Sequence, residues 1–183
     1  MTLQERYERL RSTPSSINEH MDVLRDYASR CESIAEFGVD IGQSTTAFLM
    51  GQPKRLLSVD VVHKPELDEL ANIAAAWEPM GDGEWKFLLA DSRYCTIPEV
   101  DLLFIDSSHH YAQMQAELRE HHAKVRRYLM FHDTVAYGEL GEGGLVGINP
   151  AIREFMAEHP EWVEIAHYKH NNGLQILERV NAN

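Results

Sequence analysis

Four aspartates, Asp60, Asp91, Asp106 and Asp133, each close an apolar run of the kind that forms a buried strand. A carboxylate offers two acceptor oxygens to ligand hydroxyls and is a preferred donor to hard divalent cations. Two imidazoles stand beside the last pair: His109 follows Asp106 by three residues, and His132 directly precedes Asp133. Histidine titrates near working pH and also ligates metals, so proton transfer and metal binding are both within reach of this set. A single strand-end aspartate can simply start a turn or cap a helix. Four of them gain significance only if the chain brings the ends of their strands to one edge.

The segment Ala35 to Thr46 supplies a second chemical signal. A short strand, Ser33 to Phe37, runs into Gly38-Val39-Asp40-Ile41-Gly42-Gln43-Ser44-Thr45 and then into the short helix Thr46 to Met50, closed by Gly51 and Pro53. Glycine tolerates positive φ and lets backbone approach a ligand closely, and a helix N-terminus directs unpaired N–H groups and a positive dipole end into the turn. The turn therefore suits a nucleotide-like cofactor, although glycine turns of this kind also arise for purely steric reasons.

The elements around these residues alternate. Leu3, Tyr7 and Leu10 predict a helix over 2–11, and Ser16-Ile17-Asn18-Glu19 has the form of a capping box for a second helix carrying Ile17, Met21, Leu24 and Ala28. Strands follow at 55–62, 85–90, 100–105 and 128–131. A helix from Pro65 through Trp77, broken at Pro79 to Gly83, and one carrying Tyr111, Met114, Leu118 and Val125 lie between them. Tyr137 to Gly147 holds five glycines (138, 141, 143, 144, 147) and predicts a mobile loop over the same edge. A helix from Asn149 to about Glu158 precedes strands at 162–168 and 173–179, too closely spaced to pair other than antiparallel. Strand and helix alternation is the sequence form of a parallel sheet with right-handed crossovers, and ligands bind such sheets at the carboxyl edge.

Composition narrows the function classes. The 183 residues, 44% hydrophobic, suit one domain with a substantial core: N-terminal helices over 1–30 and an α/β core over 33–183. Seventeen Lys and Arg against 29 Asp and Glu give a net charge of -12, which argues against nucleic acid as a general partner. No apolar run has the length of a membrane span and the N-terminus lacks a signal-peptide core, so a cytoplasmic protein is expected. Cys31 and Cys95 have neither metal nor redox spacing and are expected to be buried and reduced. Apolar residues on the N-terminal helix also suit a homodimer contact. His121 and His122 are expected on a partly exposed helix face, and Trp77, Trp85 and Trp162 in the core.

Five parallel strands followed by an antiparallel hairpin resemble the class I methyltransferases that use S-adenosylmethionine. The likeness sharpens at Glu36-Phe37-Gly38-Val39-Asp40-Ile41-Gly42-Gln43-Ser44, which resembles the E-x-G-x-x-x-G-x-S motif of the metal-dependent O-methyltransferases, the catechol type among them. Ile105 to Tyr111 and Phe131-His132-Asp133-Thr134 also resemble a bacterial branch related to sugar and antibiotic O-methyltransferases and to cephalosporin hydroxylase-like proteins. The resemblance extends from about residue 16 to the end and says little about substrate. It implies a Rossmann-like three-layer sandwich with a seven-stranded sheet of order 3-2-1-4-5-7-6, its last strand antiparallel.

For the site, the resemblance implies that Gly38 and Gly42 shape the S-adenosylmethionine pocket and that Glu36 and Ser44 hold the methionine end. Asp60 would take the two ribose hydroxyls, and Asp91 and Ser92 would sit beside the adenine. Asp106 and Asp133 occupy the positions that bind Mg²⁺ or another divalent metal in the metal-dependent members, next to a small-molecule acceptor; beside them His132 is this chain's own candidate for a third ligand. Two departures stand out: His109 takes the place of the lysine base of the catechol type, and Thr134 that of the asparagine after the second aspartate. His109 is the candidate base. Two rival readings remain open at this point, an iron hydroxylase or metal-assisted hydrolase built on His109, His132, Asp106 and Asp133, and a non-catalytic S-adenosylmethionine-binding module. A nicotinamide dehydrogenase fits poorly, because its fingerprint is G-x-G-x-x-G.

Overall fold

Period-two alternation divides the strand residues between two cores. In the computed structural model, which describes residues 1–76 and 83–180, Ile34, Leu102, Phe104 and Met130 face one cluster while Ala35, Leu103, Ile105 and Phe131 face the other. Both faces of the central strands are thus apolar, as a sheet covered on both sides requires. The strands are β1 (Ser33–Phe37), β2 (Arg55–Asp60), β3 (Glu84–Leu89), β4 (Val100–Ile105), β5 (Val125–His132), β6 (Trp162–Tyr168) and β7 (Leu174–Arg179). They form one seven-stranded sheet in the order β3-β2-β1-β4-β5-β7-β6, in which β7 runs antiparallel to both β5 and β6. This is the expected order.

The helices α1 (Leu3–Ser12), α2 (Met21–Ala28), α3 (Gln43–Met50) and α4 (Pro65–Ala75) share the first cluster through Tyr7, Leu24, Phe48 and Leu70. On the opposite face, α5 (Tyr111–His121) and α6 (Asn149–Glu158) contribute Met114, Leu118, Ile152 and Phe155. Each amphipathic helix buries its apolar stripe on the sheet, giving three layers. Leu3, Tyr7 and Leu10, whose exposure would have suited a dimer contact, lie inside this core.

Several local expectations are corrected. The capping box belongs to α1, where Thr2 Oγ1 accepts the Glu5 N–H at 3.1 Å and Glu5 Oε2 accepts the Thr2 N–H at 2.8 Å. At Ser16-Ile17-Asn18-Glu19 the reciprocal pair lies one residue earlier, with Ser15 Oγ accepting the Asn18 N–H at 3.1 Å and Asn18 Oδ1 the Ser15 N–H at 3.0 Å, while the Glu19 N–H donates to Asn171 Oδ1 on the β6–β7 turn. The second strand ends at Asp60, leaving Val61 and Val62 exposed. Helix α5 ends at His121, and Val125 opens β5; a spacing of seven from Leu118 mimicked one further pair of helical turns. The crossing from β3 to β4 over 90–99 holds no helix, so the alternation is not complete. Trp77 and the break at Pro79 to Asp82 lie outside the described residues. Trp162 is buried as expected, Trp85 is half-buried, and both cysteines are free, Cys31 buried and Cys95 partly so. No described helix is long and apolar enough to cross a membrane.

The glycine-rich segment 137–147 is fastened rather than open. Leu140 and Val146 form an antiparallel bridge, the Tyr111 N–H donates to Val146 O at 2.8 Å, and the Glu142 N–H donates to His109 O at 3.2 Å. It does lack apolar anchoring, since Leu140, Leu145 and Val146 are exposed.

Candidate functional site

A cleft of about 620 Å³ runs along the carboxyl ends of β3, β2, β1, β4 and β5. Gly38, Ser44, Asp60, Asp91, Ser92, Asp106, His109 and Asp133 all line it, so the strand ends do converge. Glu36, Gly42 and His132 are not on its wall. Ser16 and Ile17, from the link before α2, close one side.

The glycine turn works differently from the expectation of ligand approach. Gly38 and Gly42 do hold positive φ, 83° and 77°. The space that a Cβ would fill at Gly38, however, is taken by the Asp106 carbonyl, 1.9 Å away, and at Gly42 by the Leu70 side chain at 2.7 Å. Their freedom serves close packing of the turn against β4 and α4. Gly42 is also the N-cap of α3 and has no side chain to bond, so the first N–H groups of that helix are left for a ligand.

Asp60 braces this turn. Its Oδ2 accepts N–H bonds from Val39 at 2.7 Å and Asp40 at 3.2 Å, and its Oδ1 accepts from Val62 at 3.0 Å. Glu36 is wholly buried beneath the turn, where Oε1 accepts hydroxyl bonds from Ser58 at 2.5 Å and from Thr45. Burial pushes its carboxyl up to about 7, against the opposing bonds from Ser58, Thr45 and Ser44. At the β3 end, Asp91 grips the Arg93 guanidinium at 2.6 Å, and Ser92 Oγ donates to Glu117 Oε1 at 2.5 Å. Glu117 gathers Ser92, Ser107 and Gln113 around one oxygen, and burial raises its pKa.

At the other end of the cleft Asp106, His109 and Asp133 each offer a donor atom, all within 4.8 Å of one another. His109 Nε2 lies 2.8 Å from Asp133 Oδ2 and 3.2 Å from Asp106 Oδ1. His109, the residue expected as the base, thus reaches both carboxylates. His132 turns Nδ1 toward Asp106 Oδ1 at 3.2 Å and Asp133 Oδ2 at 3.5 Å, while its Nε2 meets the Ser16 carbonyl at 3.1 Å. Thr134 points elsewhere, to His167 Nε2 at 3.0 Å.

Charge in this group is mutually dependent. Burial disfavours a charged His109, yet bonds to Asp106 and Asp133 outweigh it and push the imidazole up to about 11. The same contest, burial against the charge of Asp106, takes His132 up to about 10. Burial would raise both aspartates, but the two imidazoles hold them below the ordinary carboxylate range. Asp133 is fixed further by its left-handed backbone, φ 59°, and by the Asn172 amide, which donates to its Oδ1 at 2.7 Å. Two carboxylates and an imidazole held this close together fit a divalent cation, and the imidazole favours Mn²⁺, Fe²⁺ or Co²⁺ over Mg²⁺.

Several of these partners escaped the sequence reading. Glu142 stood alone in a glycine-rich loop, and Asn171-Asn172-Gly173 signalled only a turn. His110 proves to be the N-cap of α5, accepting the Gln113 N–H at 3.3 Å. His121, expected on an exposed face, is fully buried with Nε2–H donating to Ser92 O at 2.7 Å. It lies four residues after Glu117 and seven after Met114, on the buried stripe of the helix.

No family profile matches the chain, and no curated protein matches it in sequence. Solved structures do match it. The 1,6-didemethyltoxoflavin-N1-methyltransferase of Burkholderia thailandensis, with S-adenosylhomocysteine bound, is similar at a TM-score of 0.67 and 13% identity over 91% of this chain and 79% of its own. An O-methyltransferase from Bacillus cereus gives 0.62 and 17% over 98% and 90%, and a Podospora anserina methyltransferase 0.61 and 16% over 98% and 88%. The fold of this chain is the Rossmann-like fold of the class I methyltransferases.

Proposed function

We propose that this protein transfers the methyl group of S-adenosylmethionine to an oxygen of a small molecule, assisted by a divalent metal. The observation that carries the reading is the single cleft that joins a nucleotide-type turn at β1 and β2 to the Asp106, His109, Asp133 group at β4 and β5. That S-adenosylhomocysteine occupies the matching fold in the Burkholderia and Bacillus enzymes supports the cofactor.

Asp60 has acceptor capacity left on Oδ1 for a ribose hydroxyl, because each carboxylate oxygen can take two bonds and Oδ1 holds only the Val62 N–H. The uncapped N-terminus of α3 suits the methionine carboxylate, with Ser44 alongside. Asp91 and Ser92, which line the same cleft, would sit beside the adenine. Asp106, His109 and Asp133 would hold the metal. When bound, S-adenosylmethionine supplies a sulfonium methyl, and the metal supplies Lewis acidity that makes an acceptor hydroxyl more acidic. With both bound, an acceptor hydroxyl would give up its proton to solvent and its oxygen would take the methyl group as the S–C bond breaks, the electron pair staying on sulfur. Because both ring nitrogens of His109 already face carboxylates, we assign it to the metal rather than to the base. The contribution of the chain is alignment of acceptor and methyl at the β4 end.

The test is methyl transfer from labelled S-adenosylmethionine to a panel of catechols, phenols and sugars, using metal-stripped protein with and without Mn²⁺ or Mg²⁺. Product that requires both cofactor and metal supports the reading. The second imidazole near the carboxylates, His132, favours one other reading, an iron-dependent hydroxylase or hydrolase. Turnover with Fe²⁺ alone, independent of S-adenosylmethionine, would select it.

A further inference from the structure

An imidazole that ligates a metal must present a lone pair, so its proton has to sit on the other nitrogen and find an acceptor there. His109 directs Nε2 to Asp106 and Asp133, and its Nδ1 meets Glu142 Oε1 at 2.9 Å. Tyr137 stacks on the ring, centroids 4.7 Å apart and planes within 7°. Stacking fixes the plane of the ring but is nearly blind to a half-turn that would exchange carbon and nitrogen positions. A hydrogen bond at Nδ1 is not.

We infer that Glu142 is the positioning residue for His109, accepting the Nδ1 proton and so turning Nε2 to the Asp106 and Asp133 carboxylates; this rests on the metal reading of that site. The loop is built to deliver it. The Glu142 N–H donates to the His109 carbonyl at 3.2 Å, so one residue holds the other through both backbone and side chain. Gly141 passes so near that an added Cβ would lie 2.2 Å from the His109 carbonyl oxygen. Beyond Glu142, Gly143 and Gly144 hold φ 63° and 80° with open space around them, which returns the chain to Leu145, whose carbonyl accepts the Gly141 N–H at 2.8 Å. Among the described residues, Glu142 is the partner of Nδ1. The segment 137–147 thus supplies the residue that orients a ligand on the segment joining β4 to α5, and the two are far apart in sequence.

The experiment is calorimetric titration of the full-length, metal-stripped chain with Mn²⁺ and with Co²⁺, for wild type, Glu142→Ala and Glu142→Gln. Loss of an outer-sphere acceptor of this kind costs ~10–100-fold in metal affinity, which is the effect expected of Glu142→Ala. The glutamine amide oxygen can still accept the Nδ1 proton, so Glu142→Gln is expected within about threefold of wild type. The side chain is half exposed, so neither change should move Tm by more than ~2 °C. Wild-type affinity in Glu142→Ala, or a Glu142→Gln variant as weak as the alanine, would overturn the inference. Absence of metal binding in a folded wild-type chain would instead overturn the metal reading beneath it.

Discussion

Gly38→Ala couples the glycine turn to the carboxylate group through one steric contact. An alanine Cβ would sit 1.9 Å from the Asp106 carbonyl oxygen and 2.5 Å from its carbon. That is ~1.6 Å short of the ~3.5 Å at which such atoms rest, and both are backbone, so no rotamer change relieves it. The φ of 83° adds the left-handed penalty of ~1–2 kcal/mol. Overpacking of this kind costs a further ~1–3 kcal/mol, for a total of ~2–5 kcal/mol. Gly144→Ala is the matched control: φ is 80°, nothing lies within 4 Å, and only the left-handed term applies. For a chain of this size ~1 kcal/mol moves Tm by ~2–4 °C, so Gly38→Ala should melt ~4–20 °C below wild type and Gly144→Ala, with the left-handed part alone, ~2–8 °C below. Because β4 must yield at Asp106, Mn²⁺ affinity should fall at least ~10-fold in Gly38→Ala, the range seen when the surroundings of a ligand are disturbed. Differential scanning calorimetry reads the first effect and metal titration the second. A Gly38→Ala protein that melts with Gly144→Ala and binds metal normally would refute the steric reasoning.

Two further outcomes depend on pH. His20 is fully buried, with Nε2 between the His170 and Asn171 carbonyls at 3.1 and 3.0 Å and Nδ1 without a partner. Burial, then the charges of His132 and His170, push it down to about 4. Between pH 6.5 and 4 the unfolded chain takes a proton there that the native state refuses, so stability falls as pH falls, by ~1.4 kcal/mol per unit at most. Urea midpoints at pH 7 and 5 should therefore differ more in wild type than in His20→Gln, which keeps the N–H donor; equal differences would contradict this. Metal affinity should move in the same direction. His109 and His132, pushed up to about 11 and 10, stay protonated across neutral pH and oppose a cation, so Mn²⁺ should bind more tightly at pH 8.5 than at 6.5, by up to ~10-fold per unit for each proton released. Affinity independent of pH would place the ion elsewhere.

The strands and the convergence of Asp60, Asp91, Asp106 and Asp133 were legible because apolar runs ending in a carboxylate, alternating with helices, admit few topologies. Glu36 could have been placed from alternation alone. Ile34 faces the α1 to α4 cluster and Phe37 the opposite one, so Glu36 turns beneath α3 to Thr45 rather than into the cleft. The roles of the glycines were not legible: positive φ follows from residue type, but what fills the missing Cβ, Asp106 at one and Leu70 at the other, depends on how β4 and α4 pack. Likewise His109, three residues after Asp106, was expected as the base. Its engagement by Asp133 and Glu142 required the placement of β5 and of the loop, which local pattern does not carry.

The central claim is that the cleft binds S-adenosylmethionine with Asp60 on the ribose. Its most direct test is calorimetric titration of the metal-stripped, full-length chain with S-adenosylmethionine, for wild type and Asp60→Ala. Asp60 also braces Val39 and Asp40, so the variant should lose ~1–3 kcal/mol of stability and still fold. Saturable binding near micromolar Kd in wild type, about −8 kcal/mol, weakened at least ~10-fold in a folded Asp60→Ala, is the predicted result. A folded wild-type chain that takes up no S-adenosylmethionine at millimolar concentration, or an Asp60→Ala protein that binds it as wild type does, would contradict it.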